Sequence, residues 1–306
     1  MSQRAALLGT ITHDLISYES GLNFEGIGGV LYQAAVLCGL EKEVSLYTNL
    51  GAELVPQVKE IIESWSHLDQ TGIQYVPGPG NRVELHYPEK GEREEVLKSV
   101  VPPLGTAQIV KELPGFGMLL LVLNSGFDIE LKDWKKITDS ASCPAWIDIH
   151  SLALAKKLQK PRGYVSLADW EAWVEGVDYL QANKQEVASM LGHPQRLPDE
   201  EEIARFGKRA MELGVKAVFM TLGQEGGIVM IPEGLEKIAS SEAESVVDTT
   251  GCGDVFCGAT AARLMEGKDP VTAACFGLEL ATKAVNLTGV EETYLLTLHH
   301  GRGTGS

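Results

Sequence analysis

The stretch Val247-Asp248-Thr249-Thr250-Gly251-Cys252-Gly253-Asp254-Val255-Phe256 restricts this chain more than any other. An apolar lead-in, Val246-Val247, reads as the end of a strand or its exit loop, and Gly251 and Gly253 let the backbone turn tightly and approach a ligand. From Asp254 to Met265 the pattern predicts a buried helix. Val255, Ala259 and Ala262 recur at helical spacing, Cys257, Gly258 and Ala261 keep it slim, and Gly267 with Pro270 supplies a stop. Successive backbone N–H groups at a helix N-terminus, in the positive end of its dipole, make an anion site. A carboxylate on the first turn repels an anion. It makes sense if Asp254 takes a proton from a hydroxyl that attacks the anion, which is the logic of phosphoryl transfer.

A lone G-x-G-D is more simply a glycine-rich turn with its Asp as a helix cap. The whole string D-T-T-G-C-G-D, between a strand end and a helix start, is far more specific. It resembles the C-terminal signature of the ribokinase-like (phosphofructokinase B) family of sugar and nucleoside kinases. The resemblance implies that Asp254 is the general base. It also implies that the backbone of Gly251, Cys252 and Gly253 forms the hole for charge developing on the transferred phosphoryl group. Cys252 stands where the family usually has Ala or Gly, and a thiol is small enough to be tolerated there.

Composition narrows the partners. The 306 residues are 44% apolar and 22% charged, the balance of an ordinary globular protein, with length for one large α/β domain or two small ones. A net charge of −16 argues against nucleic acid or an anionic membrane as partner. Five cysteines are widely spaced with no C-x-x-C pair, so they read as reduced thiols of a cytoplasmic protein. No signal peptide or membrane span is expected. The residues from His299 to Ser306 read as a polar, Gly-rich, flexible tail.

Ala5–Thr10 reads as a buried first strand, and His13-Asp14 fall where it leaves the sheet, the end at which ligands bind in open α/β sheets. The family places a sugar-binding Asp at this distance, which implies that role for Asp14. The segment Leu15–Glu25 reads as a lid strand. Gly28-Gly29-Val30-Leu31-Tyr32-Gln33-Ala34-Ala35 then opens an apolar helix and lacks the G-x-G-x-x-G spacing of a dinucleotide site. It resembles the family's N-terminal signature G-G-x-x-x-N-x-A, which implies Gly28, Gly29 and Gln33 as substrate contacts. Gln33 replaces the family Asn and reaches one methylene further, and Tyr32 replaces a small residue, so the acceptor's identity is left open.

Val44–Thr48 reads as a strand and Val58–Trp65 as an amphipathic helix. Ile73–Val76, Arg82–His86 and Glu94–Leu97 are short, polar β segments outside the alternating pattern around them. Family members carry a small β lid over the acceptor, which implies a lid from about 15–30 and 72–100. Gly91-Glu92-Arg93 resembles a G-x-R turn found there, making Arg93 a candidate substrate contact against the plainer reading of a solvated charge.

Beyond the lid, apolar runs at Met118–Leu123, Ala145–Asp148, Tyr179–Ala182 and Ala217–Leu222 alternate with helical stretches near Leu131–Thr138, Leu152–Leu158, Lys184–Leu191 and Glu201–Leu213. That alternation predicts a parallel sheet with right-handed crossovers. Asp148 ends a strand and is a weaker candidate for the phosphate or substrate side. Asn183-Lys184-Gln185-Glu186 has the form of a capping box. It also resembles the family's N-x-x-E motif, which implies that Asn183 and Glu186 organise Mg²⁺, its waters and the phosphates. Thr221-Leu222-Gly223-Gln224-Glu225-Gly226 resembles the T-L-G-x-x-G turn beneath the nucleotide, implying Thr221, Gly223 and Gly226 as ATP contacts. The helix Val271–Leu287 is expected to wall the adenine pocket. Activation by K⁺ in several members implies Asp248 and Thr250 as its ligands.

The expected fold is therefore α/β: a ribokinase-like, doubly wound, mostly parallel sheet flanked by helices, in one kinase domain over 1–298 with a small β lid. The expected function is ATP-dependent transfer of the γ-phosphoryl group to a hydroxyl of a sugar or sugar-like molecule, with Mg²⁺. Two other readings stay open: a cyclic polyol (inositol-like) or nucleoside as acceptor, and a non-catalytic nucleotide or sugar sensor on the same fold. Partners are then a sugar-like small molecule and ATP, with no nucleic acid and no membrane. A homodimer is left open.

Overall fold

A computed structural model describes residues 2–88, 93–240 and 249–302, with no side-chain description beyond 300. The chain opens with β1 (Arg4–Leu8), β2 (Ile11–Tyr18), β3 (Asn23–Gly29) and α1 (Leu31–Gly39). Next come β4 (Glu43–Gly51), α2 (Val55–Ile62), β5 (Leu68–Asp69), β6 (Ile73–Val76), β7 (Asn81–Tyr87) and β8 (Glu94–Ser99). The middle of the chain is α3 (Ala107–Glu112), β9 (Met118–Val122), α4 (Leu131–Ser140), β10 (Ala145–Asp148) and α5 (Trp170–Val174). It continues through β11 (Tyr179–Asn183), α6 (Lys184–Met190), α7 (Glu200–Glu212), β12 (Ala217–Thr221), β13 (Gly227–Ile231) and β14 (Gly234–Ile238). Three helices close it: α8 (Cys252–Met265), α9 (Pro270–Ala284) and α10 (Gly289–Arg302).

The large sheet runs β14-β13-β12-β11-β10-β9-β1-β4-β5, with β6 also paired to β4. From β12 to β5 every neighbouring pair is parallel; β13 and β14 close the far edge as an antiparallel hairpin. The central strands are apolar on both sides because helices cover both faces. Leu7, Val36, Val58, Ala259 and Leu280 share one core with α1, α2, α8 and α9. Leu8, Ile109, Trp134, Ile147 and Phe206 share the other with α3, α4 and α7. This is the doubly wound α/β arrangement that the alternating pattern anticipates, and it aims the carboxyl ends of β1, β9, β10, β11 and β12 at one edge.

A second, four-stranded sheet, β3-β2-β7-β8, stands over that edge. Its strands alternate: on β7, Val83 and Leu85 turn inward to meet Ile16 and Leu97, while Arg82 and Glu84 face out. This is the lid, with three corrections to the sequence reading. Its first strand begins at Ile11, not Leu15. Ile73–Val76 belongs instead to the large sheet, because the nine-residue β4 extends past β5 and needs a partner at Thr48–Gly51. The stretch Leu152–Leu158 is no helix. A single tight turn, His150–Ala153, gives way to extended chain that pairs with the lid, Gln159 N–H donating to Leu97 O at 2.9 Å.

The expected tail is also revised. Helix α10 runs through Arg302 because Val290, Tyr294 and Thr297 are buried, Thr297 beside Gly39 of α1. Residues 303–306 lie outside the described residues. Among the described residues, no helix is long and apolar enough to cross a membrane.

Candidate active site

A cleft of about 1410 Å³ lies between the lid and the carboxyl edge of the large sheet. It is lined by residues from both, including Asp14, Arg93, Asp148, Asn183, Thr221 and Asp254. Those six come from lid strands or the lid's connection, from the ends of β10, β11 and β12, and from the first turn of α8.

Helix α8 opens as the motif predicts. Gly251 caps it at φ 79°, ψ −4°, the left-handed region, and a Cβ there would stand 2.7 Å from Cε1 of Tyr32. The opening turn is held from two sides: Gln33 Nε2 on α1 donates to Asp254 Oδ1 at 2.5 Å, and Gln181 Nε2 on β11 donates to the Gly253 carbonyl at 2.9 Å. Gln33, expected among the substrate contacts, is fully buried with its amide on Asp254. Burial raises Asp254 to about 6, with nearby His150 and the Gln33 bond working the other way.

On the lid side, Asp14 sits on β2 and is 7% exposed. Burial raises it to about 7, opposed by a hydrogen bond from Thr12 and by the Arg93 charge. Gly28 on β3 packs so closely against Asp14 Oδ2 that a side chain would collide with it, and Gly29 also lines the cleft. His13 points the opposite way, as successive strand residues must, and meets Glu25 at 2.8 Å. Arg93 has its guanidinium 3.5 Å from Tyr87 Oη, 3.4 Å from Glu95 Oε2 and 3.4 Å from His150 Nε2. It is no solvated charge. Gly91 and Glu92 of the expected turn lie outside the described residues.

Across the cleft, Asn183 caps α6 in a complete capping box with Glu186: Asn183 Oδ1 accepts from the Glu186 N–H at 2.9 Å, and Glu186 Oε2 accepts from the Asn183 N–H at 2.7 Å. Glu186 Oε1 accepts further bonds from Asn183 Nδ2 at 2.7 Å and His150 Nδ1 at 2.8 Å. Thr221 ends β12, and Gly223 and Gly226 bound the turn that follows, lining the same cleft. Leu278, Ala281 and Thr282 of α9 form an apolar-to-polar wall beside them. Thr250 reaches the lid, its hydroxyl 2.8 Å from Tyr87 Oη. Asp248 lies outside the described residues.

Between the two sides lies an acidic group with one central histidine. Asp148 is raised to about 8, chiefly by burial and then by the charges of Glu186 and Asp254. Burial disfavours the charged form of His150, but Glu186 overrides it and lifts the imidazole to about 9. The sequence reading does not include His150, Glu95, Arg162 or Gln181. His150 had an available signal, since it follows by two residues a strand end already marked by Asp148. Glu95 and Arg162 had none, because only the fold brings the lid and the 154–164 segment together.

The comparisons agree with this architecture. A family model for the pfkB family carbohydrate kinases matches residues 150–296, which hold Asn183, Thr221 and the Asp254 motif. The ribokinase of Lactococcus lactis is 37% identical over 242 residues, covering 78% of this chain and 64% of that protein. The ribokinase of Arabidopsis thaliana is 33% identical over 118 residues, 38% of this chain and 30% of that protein. Residues 150–296 of this chain place it with the pfkB family carbohydrate kinases. The chain covers less than two thirds of the length of these curated relatives. In structure the likeness is end to end: ribokinase from Giardia lamblia matches with a TM-score of 0.79 at 16% identity, covering 100% of both chains. Arabidopsis thaliana ribokinase complexed with ribose and ATP matches with a TM-score of 0.73 at 18% identity, over 97% of this chain and 99% of that one. At such identities the structural matches speak for the fold.

Proposed function

We propose that this ribokinase-like chain transfers the γ-phosphoryl group of ATP to a hydroxyl of a sugar or sugar-like small molecule, with Asp254 as general base. One observation carries the reading: Asp254 sits on the first turn of α8 and lines the cleft, between the Asp14–Arg93 side and the Asn183–Thr221 side. An acceptor hydroxyl held by Asp14 would meet Asp254, while phosphate charge would face the backbone of the opening turn of α8, Gly251 to Gly253. A base raised to about 6 is ionised at neutral pH yet close enough to it to accept a proton efficiently. Gln33 fixes one carboxylate oxygen and leaves the other for the hydroxyl.

The residues fit Mg²⁺ and ATP. Among the described residues, no three His, Cys, Asp or Glu side chains form a metal cage. Glu186 already accepts hydrogen bonds at both oxygens, so it suits contact through water, as a hydrated Mg²⁺ requires. The ion would be held there by Asn183 and Glu186, and it supplies charge neutralisation for the phosphates. The charges of Glu186 and Asp254 raise Asp148, and that of Glu186 raises Asp254, an excess of negative charge that a cation would relieve. ATP would lie along Thr221, Gly223 and Gly226 with its base toward α9.

The test is ADP release from Mg·ATP with a panel of pentoses, hexoses, cyclic polyols and nucleosides. Acceptor-dependent release with at least one member supports the reading. Nucleotide binding without turnover on any member contradicts it and favours a sensor on the same fold.

A further inference from the structure

We propose that His150 is a positioning residue that couples the lid to the Glu186 side of the cleft, so that the acceptor and nucleotide halves are set in register by one side chain. The inference builds on the kinase reading, and it rests on a juxtaposition that no motif encodes. His150 Nδ1 is 2.8 Å from Glu186 Oε1. The opposite ring nitrogen, Nε2, faces the lid, 3.4 Å from Arg93 Nη2 and 3.9 Å from Glu95 Oε2. One imidazole therefore spans from the α6 capping box to the lid residues Arg93 and Glu95.

The backbone around His150 makes that span rigid. Its own N–H donates to Asp148 Oδ1 at 3.2 Å, at the end of β10. A few residues on, the chain straps itself to β8. Arg162, whose side chain is fully buried, donates to Glu95 Oε1 at 2.8 Å, to Ala155 O at 3.0 Å and to Ser151 O at 3.2 Å. The Arg162 N–H also donates to the Glu95 carbonyl at 2.9 Å, beside the Gln159–Leu97 bond. A buried guanidinium bonded to a lid carboxylate, to the Ser151 carbonyl in the turn that carries His150 and to the Ala155 carbonyl just beyond it holds lid and turn as one body. Any shift of β8 then moves the imidazole against Glu186, and Glu186 orients Asn183 in turn.

Two substitutions split the imidazole in half. His150→Asn can keep a donor toward Glu186 but cannot reach the lid; His150→Gln can reach the lid side but places no donor at Nδ1. If His150 only orients Glu186, His150→Asn behaves as wild type. If it couples the halves, both variants fold and both lose the coupling.

The experiment is a double-mutant cycle between the lid and α6, using Glu95→Gln with Glu186→Gln. It is read by thermal unfolding of the whole chain without ligand, then repeated in His150→Asn. The expected result is non-additivity of about 2 °C or more with His150 present and additivity without it. Arg93→Gln replaces Glu95→Gln if the latter does not fold. In parallel, calorimetry with Mg·ADP is expected to show at least a threefold affinity change for the lid variant in wild type, and less than 1.5-fold in His150→Asn. A purely structural contact would not produce that difference. Equal effects in both backgrounds, in either measurement, overturn the inference. If Mg·ADP does not bind to wild type at all, it is the kinase reading that falls, and the unfolding cycle by itself decides on His150.

Discussion

The two sides of the cleft are assembled in opposite ways. The side proposed to face the nucleotide is local: Asn183 to Glu186 lie within four residues, Thr221 to Gly226 within six, and Gly251 to Asp254 within four, each at the start of a helix or turn. The lid side is dispersed: Asp14, Gly28, Arg93 with Glu95, and Arg162 come from four separate segments and meet only through tertiary packing. Short-range backbone geometry makes phosphate sites, and it leaves compact motifs. Recognition of a small polar molecule needs side chains converging from several directions, and it leaves almost none.

This contrast predicts different failures on the two sides. The largest expected effect is on the local side. Gly251→Ala forces a Cβ into the left-handed region and against Tyr32, displacing the opening turn of α8. We expect kcat to fall about 10²–10³-fold, the scale for losing a preorganised donor, with acceptor KM nearly unchanged. A mainly KM effect would mean that this turn serves acceptor binding, and the division of the cleft would be wrong.

On the dispersed side, Asp14→Ala is expected to raise the acceptor KM about 10–100-fold, from the loss of a buried hydrogen-bonding carboxyl group. The ATP KM should hardly move. Saturation kinetics in both substrates check this, and equal increases in both KM values would erase the distinction.

A smaller effect is expected at the junction. Glu186→Gln retains a capping side chain but loses charge, and we expect about a 10-fold increase in the Mg²⁺ concentration giving half-maximal rate. An unchanged Mg²⁺ titration would reduce Glu186 to a helix cap.

The smallest effect concerns stability. Asp148 is raised from 3.8 to about 8, so between those values the folded chain holds a proton that the unfolded chain has released. Its contribution to stability therefore falls as pH rises through that window. Asp148→Asn removes the penalty. Without Mg²⁺ it should melt a few degrees above wild type at pH 8, with the gap closing as pH falls toward 3.8. A gap that does not depend on pH would mean that Asp148 is not held protonated by its surroundings.

The order of strands and helices was legible because the parallel sheet is buried on both faces, and its strands read as apolar runs. Met118, Ala145, Tyr179 and Ala217 begin β9 to β12 at the residues where the apolar runs start. What failed was set by tertiary demand. Ile73–Val76 has the composition of a lid strand, yet it is claimed by the unpaired half of β4. Leu152–Leu158 has helical spacing, but pairing with β8 and the buried Arg162 hold the following segment extended. Gln33 stands in a stretch that resembles a substrate motif, and the bond of its amide to Asp254 is not announced by that motif. One histidine two residues after a strand end is a weak signal until Glu186 and Arg93 are seen on its two sides.

The central claim is that Asp254 removes the acceptor's proton, and Asp254→Asn tests it most directly. Asn keeps the shape and the capping capacity but accepts no proton at neutral pH. We expect kcat to fall about 10²–10⁴-fold while ATP affinity holds or improves, since a negative charge facing the phosphates is gone. In wild type, kcat should decline as pH drops through about 6, where Asp254 takes up its proton, and this acidic limb should vanish from the residual activity of the variant. A correctly folded Asp254→Asn with near-wild-type kcat and the same acidic limb would contradict the account.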